Sequence, residues 1–156
     1  MLNLEFFLGI QLLFQFIITQ IRKGKSERKL LLYYSGKHLK TYSISLGDNP
    51  VGHKEKEGDE KTPEGLYNIN GRNPYSKYHL SLRISYPNEQ DKLNAEKNGY
   101  LPGGDIMIQG LPNATGFLEE YYTSNDWKDG CIAVTNEEIE EIWGAVKDGT
   151  PIFINK

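Results

Sequence analysis

The sequence predicts a mainly β fold, a β-rich α+β domain with one buried helix near the C-terminus and one polar helix on the surface. Three observations carry this. Sixteen glycines and seven prolines in 156 residues demand many turns, which suits short strands better than a helix bundle. Residues 77–87, "KYHLSLRISYP", set His79, Ser81, Arg83 and Ser85 against Tyr78, Leu80, Leu82 and Ile84, the two-residue period of a strand with one buried face. Only the stretch from Thr135 to Val146 has a strong helical period. Thr135 and Glu138 fit a capping box there, and Ile139, Ile142, Trp143 and Val146 form one apolar stripe.

The elements follow in chain order. Residues 6–18, "FFLGIQLLFQFII", are apolar apart from Gln11 and Gln15, and "RKGKSERK" follows at residues 22–29. The run is short for a spanning helix, which needs about 20 residues. We expect residues 1–20 to be an export signal or membrane anchor, the alternative being an amphipathic helix or first strand packed on the domain. Residues 29–47 read as a hairpin about Ser35-Gly36-Lys37. Residues 48–65 are a long charged loop, a kind that is often functional. Residues 66–71 read as a strand, and residues 88–99 as a polar surface helix starting at Asn88. Residues 103–110 and 131–134 are short apolar strands, and a last strand covers 152–154.

Composition narrows the chemistry. Hydrophobic residues at 38% and charged residues at 25% are ordinary for a folded domain. A net charge of −3 gives no reason to expect nucleic acid as partner. No GxxxxGK[ST] or GxGxxG pattern occurs, and His38, His53 and His79 fit no zinc spacing, so neither cofactor nor metal is expected. Asn113-Ala114-Thr115 matches a glycosylation sequon too short to carry weight. Cys131 is the only cysteine, so it forms no intramolecular disulfide. It reads two ways, as a small buried hydrophobe or as a nucleophile. Gly130 beside it would permit close approach of substrate or backbone. Lys128 would favour its thiolate, and Asp129 would disfavour it.

Four stretches, "KTPEGLYNINGRNP", "YHLSLRISYPN", "GGDIMIQGLPN" and "DWKDGCIAVTNEEIEEIW", together resemble the L,D-transpeptidase catalytic domain, in its branch of short single-domain murein transpeptidase and carboxypeptidase-like proteins. The resemblance runs over about residues 26–156. It implies a sandwich or barrel-like sheet and a thiol nucleophile, matched here by Cys131, that forms a thioester with a murein stem peptide. Backbone amides around Gly130 and Cys131 would bind the carbonyl oxygen. The resemblance also implies a His-Gly general base, and here that place is Gln109-Gly110. A glutamine amide cannot accept the thiol proton. Losing a general base typically costs ~100 to 10,000-fold in rate, although a thiol with an ordinary pKa of about 8.5 is already a few per cent thiolate at neutral pH.

His79, Arg83, His53, Asp129 and Gly110 are the substrate-binding candidates that the resemblance brings near the site. Each of the four side chains has a structural alternative, as a strand or loop surface residue. His53 and His79 are also the candidates for a replacement base. The implied function is a cysteine-dependent L,D-transpeptidase or L,D-carboxypeptidase-like enzyme of the periplasm or cell envelope, attenuated by Gln109. The alternative is an inactive murein-peptide-binding protein on the same fold. The expected partner is the peptidoglycan stem peptide, with membrane association through residues 1–20 and a monomeric domain.

Overall fold

The computed structural model describes residues 20–114, 118–127 and 129–156. Residues 1–19, with the apolar run at 6–18, Thr115 of the sequon and Lys128 lie outside the described residues. The elements are β1 (Gln20–Gly24), β2 (Lys29–Tyr34), β3 (Lys37–Ser43), β4 (Gly65–Ser76), β5 (His79–Ile84), α1 (Glu89–Lys97), β6 (Met107–Gln109), α2 (Glu119–Ser124), β7 (Ile132–Ala133), α3 (Asn136–Ala145) and β8 (Pro151–Asn155). Among the described residues no helix is long and apolar enough to cross a membrane.

All eight strands join one sheet in the order β3-β2-β1-β8-β4-β5-β6-β7. The β2–β3 hairpin turns on Ser35 and Gly36, both at positive φ, the geometry that a two-residue hairpin requires. β1 pairs antiparallel with β2 and parallel with β8, so the sheet takes in residues ahead of Ser26. The sheet curls until its two ends meet. Beyond β3, the Ser45 amide donates to the Ala133 carbonyl at 2.9 Å, and the Ala133 amide returns the bond at 2.9 Å. The expected mainly β, barrel-like architecture is therefore what the chain forms.

Leu30 and Leu32 of β2, Leu82 of β5, Ile108 of β6 and Ile132 of β7 are fully buried in one cluster with Ile139 and Ile142 of α3. This is the strand alternation of the sequence realised against the apolar stripe of the helix. Thr135 caps α3 through the capping box with Glu138, and Asn88 caps α1 in the same way with Asp91. Buried Glu141 of α3 accepts from the Tyr42 hydroxyl at 3.1 Å and from the Lys40 ammonium. Burial, and then the Glu141 charge, push the Tyr42 hydroxyl pKa well up, so it stays a donor.

Arg72 closes the other end of α3. Its guanidinium donates to the carbonyls of Trp143 (2.9 Å) and Val146, pairs with Asp148 at 2.9 Å, and stacks on the Trp143 ring. A cation here satisfies carbonyls that the helix leaves open and complements its dipole. Replacing Arg72 with Met should lower unfolding free energy by about 1–3 kcal/mol, the scale of charged hydrogen bonds lost from a partly buried site. Urea denaturation checks this, and a midpoint within error of the parent would show the cap to be idle.

Candidate active site around Cys131

Cys131 sits immediately before β7 on the Gly130 turn. Its Sγ–H donates to the Asp105 carbonyl at 3.4 Å. Gly130 has φ +83°, a conformation suited to glycine. It also has no room for a side chain, because a Cβ there would lie 2.3 Å from the Lys61 carbonyl oxygen. The thiol is thus placed by two backbone carbonyls, one from each of two loops. Those loops are themselves joined, since the Glu57 amide donates to the Leu101 carbonyl at 2.8 Å.

The loop that carries Lys61 has no regular structure and is held by buried charge instead. The Asp59 carboxylate accepts from Lys54 Nζ (2.8 Å) and from the amides of Glu55, Lys56 and Lys61. Burial works against the Asp59 charge, but these donors outweigh it and hold the carboxyl below the usual range. A second anchor is Lys25, which is 2% exposed and donates to Thr62 O and Glu64 Oε1. Burial lowers its pKa more than the Glu64 carboxylate raises it. On the other side, Asp126 holds the segment leading to Cys131. It receives a fork from Arg28 (3.2 and 2.6 Å) and the Leu46 amide at 2.8 Å.

Gln109 lies in a row of paired positions across the sheet, Asn73–Ser81–Gln109–Ala133. It is 3% exposed. Two positions along, on the same face, the row runs Gly71–Arg83–Met107, and Cys131 precedes Ile132, the partner of the next β6 residue, Ile108. A groove of about 200 Å³ opens on these rows, lined by Gly71, Arg72, Asn73, Ser81, Arg83 and Met107. Gln109 of β6 is thus paired with β7, the strand that Cys131 directly precedes, and β6 also supplies Met107 to the groove.

The other candidates divide. Arg83 lines the groove, and Asp129 is exposed beside Gly130. Gly110 is buried. Its amide donates to the Tyr78 and Leu80 carbonyls, and the space beyond its Cα is filled by Asn136 and Ile139. His79 departs from the expected strand face. Its φ of +65° breaks the alternation, and the ring meets Glu140 of α3 at 2.7 Å. His53 is bonded at both nitrogens. Nδ1 accepts from the Glu64 amide at 2.9 Å, which leaves Nε2 to donate to Asp91 at 3.1 Å. Trp127 packs against Tyr122 and Tyr78 and donates to the Tyr122 carbonyl. Among the described residues, no three His, Cys, Asp or Glu side chains gather as a metal site. Sequence reasoning missed the Asp105 and Lys61 carbonyls, since a backbone oxygen leaves no signature in residue type. The Arg28–Asp126 fork was missed because its partners lie far apart in the chain.

A curled β domain with a glycine-set thiol just ahead of its closing strand defines the class. The chain belongs to the YkuD family, the L,D-transpeptidase catalytic domain, whose family model matches residues 18–154. It is 32% identical over 137 residues to YafK of Escherichia coli (strain K12), which carries a provisional L,D-transpeptidase name; the match covers 81% of this chain and 48% of YafK. Among solved structures it is similar to the helical cell shape determining protein Pgp2 from Campylobacter jejuni (25% identity, TM-score 0.64, 94% of this chain and 54% of that one). It is also similar to Bd1075 of Bdellovibrio bacteriovorus (27% identity, TM-score 0.61, 90% and 48%). The chain spans about half the length of these relatives.

Two outcomes follow from the loop geometry. Gly130→Ala forces a Cβ onto the Lys61 carbonyl and should lower stability by about 2 kcal/mol or more, while changing the rate at which iodoacetamide alkylates Cys131. An unchanged melting temperature and alkylation rate would show that the loop yields freely. Asp59 has a lowered folded pKa, so its contribution is present above the ordinary carboxyl range and is lost as pH falls through the folded value, below about pH 4. Acid titration of stability should accordingly be flatter below pH 4 in Asp59→Asn than in the parent. Parallel curves would remove Asp59 from the account.

Proposed function

We propose that this domain is a cysteine-dependent acyltransferase of the cell envelope, acting on murein stem peptides by L,D-transpeptidation or L,D-carboxypeptidation. The observation that supports it most is the single thiol of a family member, partly exposed and set on a turn that only glycine fits. Residues 1–20 would export or anchor the domain, which acts as a monomer.

In this reading the Cys131 thiol loses its proton to solvent and the thiolate attacks the peptide carbonyl. Amides around Gly130 and Cys131 meet the oxyanion. The C–N bond breaks, the amine leaves with a proton, and a thioester remains. An amine from another stem, or water, then attacks the thioester and restores the thiol. Gln109 orients substrate and takes no proton, and Asp129 meets a substrate amine. Turnover is slow for want of a base.

The test is intact mass after incubation with a carbapenem, which acylates reactive thiols. A covalent adduct on Cys131 is expected within hours, and no adduct would count against the enzyme reading. Gln109→His should raise the acylation rate by about 100-fold or more, within the usual range for a general base. An unchanged rate would remove Gln109 from the base position. A second reading rests on the buried, non-titrating Gln109, which suits a murein-peptide-binding protein without turnover. There the Cys131→Ala protein should be retained on purified sacculi, and its passage through them unbound would exclude that role.

A further inference from the structure

Arg83 is the one groove residue whose charge the fold does not explain. Its partner on β6 is Met107, and on β4 it faces Gly71. The side chain lies over Gly71, where a Cβ would come within 3.3 Å of Nε and Nη2. Asn70 splints it there: Arg83 Nε donates to Asn70 Oδ1 at 3.0 Å, and Nη2 to the Asn70 carbonyl at 3.3 Å. Both acceptors are neutral. Among the described residues Arg83 has no carboxylate partner, whereas its groove neighbour Arg72 is paired with Asp148. No acidic side chain lines the groove. A flat cation held in one orientation, on a glycine that clears space for it, is prepared for an incoming anion.

Its distance from the thiol says which anion. Strands are about 4.8 Å apart, so Arg83 on β5 is about 10 Å from the level of Cys131, and its guanidinium, folded toward β4, is up to about 14 Å away. A carboxylate on the leaving residue stays within a few bonds of the scissile carbonyl, whereas the retained side of the peptide extends over several residues and spans that separation more readily. We propose that Arg83 is a specificity residue that binds a carboxylate carried on the retained, acyl-donor side of the peptide, with Asn70 as its positioning residue. This rests on the reading of the groove as a stem-peptide site, and adds that the groove selects donors by a free internal carboxylate.

The test is calorimetric and needs no turnover. Cys131→Ala protein is titrated with a synthetic murein stem tetrapeptide, and with the same peptide whose non-terminal carboxylates are carboxamides, the C-terminal carboxylate being free in both. The free-carboxylate peptide should bind at least about 10-fold more tightly, the scale of a charge-assisted hydrogen bond. Arg83→Met in the same background should bring the two within about twofold, and Asn70→Ala should shrink the difference without abolishing it. Equal binding of the two peptides, no binding of either, or full discrimination kept by Arg83→Met would each overturn the proposal. A carbapenem adduct on Cys131 of the parent would still stand in any of those cases, which keeps this inference separate from the catalytic one.

Discussion

Two backbone hydrogen bonds between Ser45 and Ala133 hold the arrangement together. β7 has only two residues, too few to fix a strand alone. Pairing on one side with β6 and on the other with Ser45 makes it a closed seam. The same short segment templates what comes before β7. Ser45 Oγ donates to the Tyr122 carbonyl, the Trp127 amide donates to Leu46, and Leu46 donates to Asp126. Ser45 and Leu46 thus receive both the approach to Cys131 and the strand that leaves it. The thiol is placed by where the sheet closes more than by its own neighbours in sequence.

Around that seam, the polar groups are committed in a way that shapes the chemistry. His38 meets Thr41, His53 is spanned between Glu64 and Asp91, and His79 meets Glu140. Asp91 also takes the Tyr67 hydroxyl and the Asn88 amide, so His53 belongs to a buried network that ties the long loop to α1 and β4. An imidazole drawn out of that network would leave Asp91 and the Glu64 amide short of partners, a cost on the order of that for any buried polar group left unsatisfied. Each of the three histidines thus has a polar partner within the domain, and the charge in the groove comes from arginine.

Local chemistry was legible where it was local. The capping boxes of α1 and α3, the Ser35–Gly36 hairpin, and the alternation of Ser81, Leu82, Arg83 and Ile84 all depend on residues within a few positions of each other. β1 was harder to see. "QIRKG" is a short polar run whose strand identity comes from two partners, β2 and β8, the latter from the far end of the chain. β4 runs to Ser76, past the stretch that reads as a strand, because irregularities after Ile69 and Asn73 absorb Asn70, Pro74 and Tyr75. His79 sits in an alternating pattern and still leaves it, since a single positive φ redirects a side chain that composition places on the other face. Of the candidate site, Cys131 and Gly130 were visible by residue type, and Gln109 only through the family resemblance. The carbonyls that surround the thiol were not.

The contact between Gly130 and the Lys61 carbonyl has a consequence for divergence among related chains. The wall behind the thiol is made of main chain, and its shape is set by how many residues lie between anchors, not by which side chains they carry. Point changes at Lys61 leave the oxygen in place, so that position is open to drift. A one-residue insertion or deletion between Asp59 and Thr62 would instead shift the carbonyl against Gly130. Chain length in this loop, rather than its composition, is therefore the trait that should stay fixed as such domains separate.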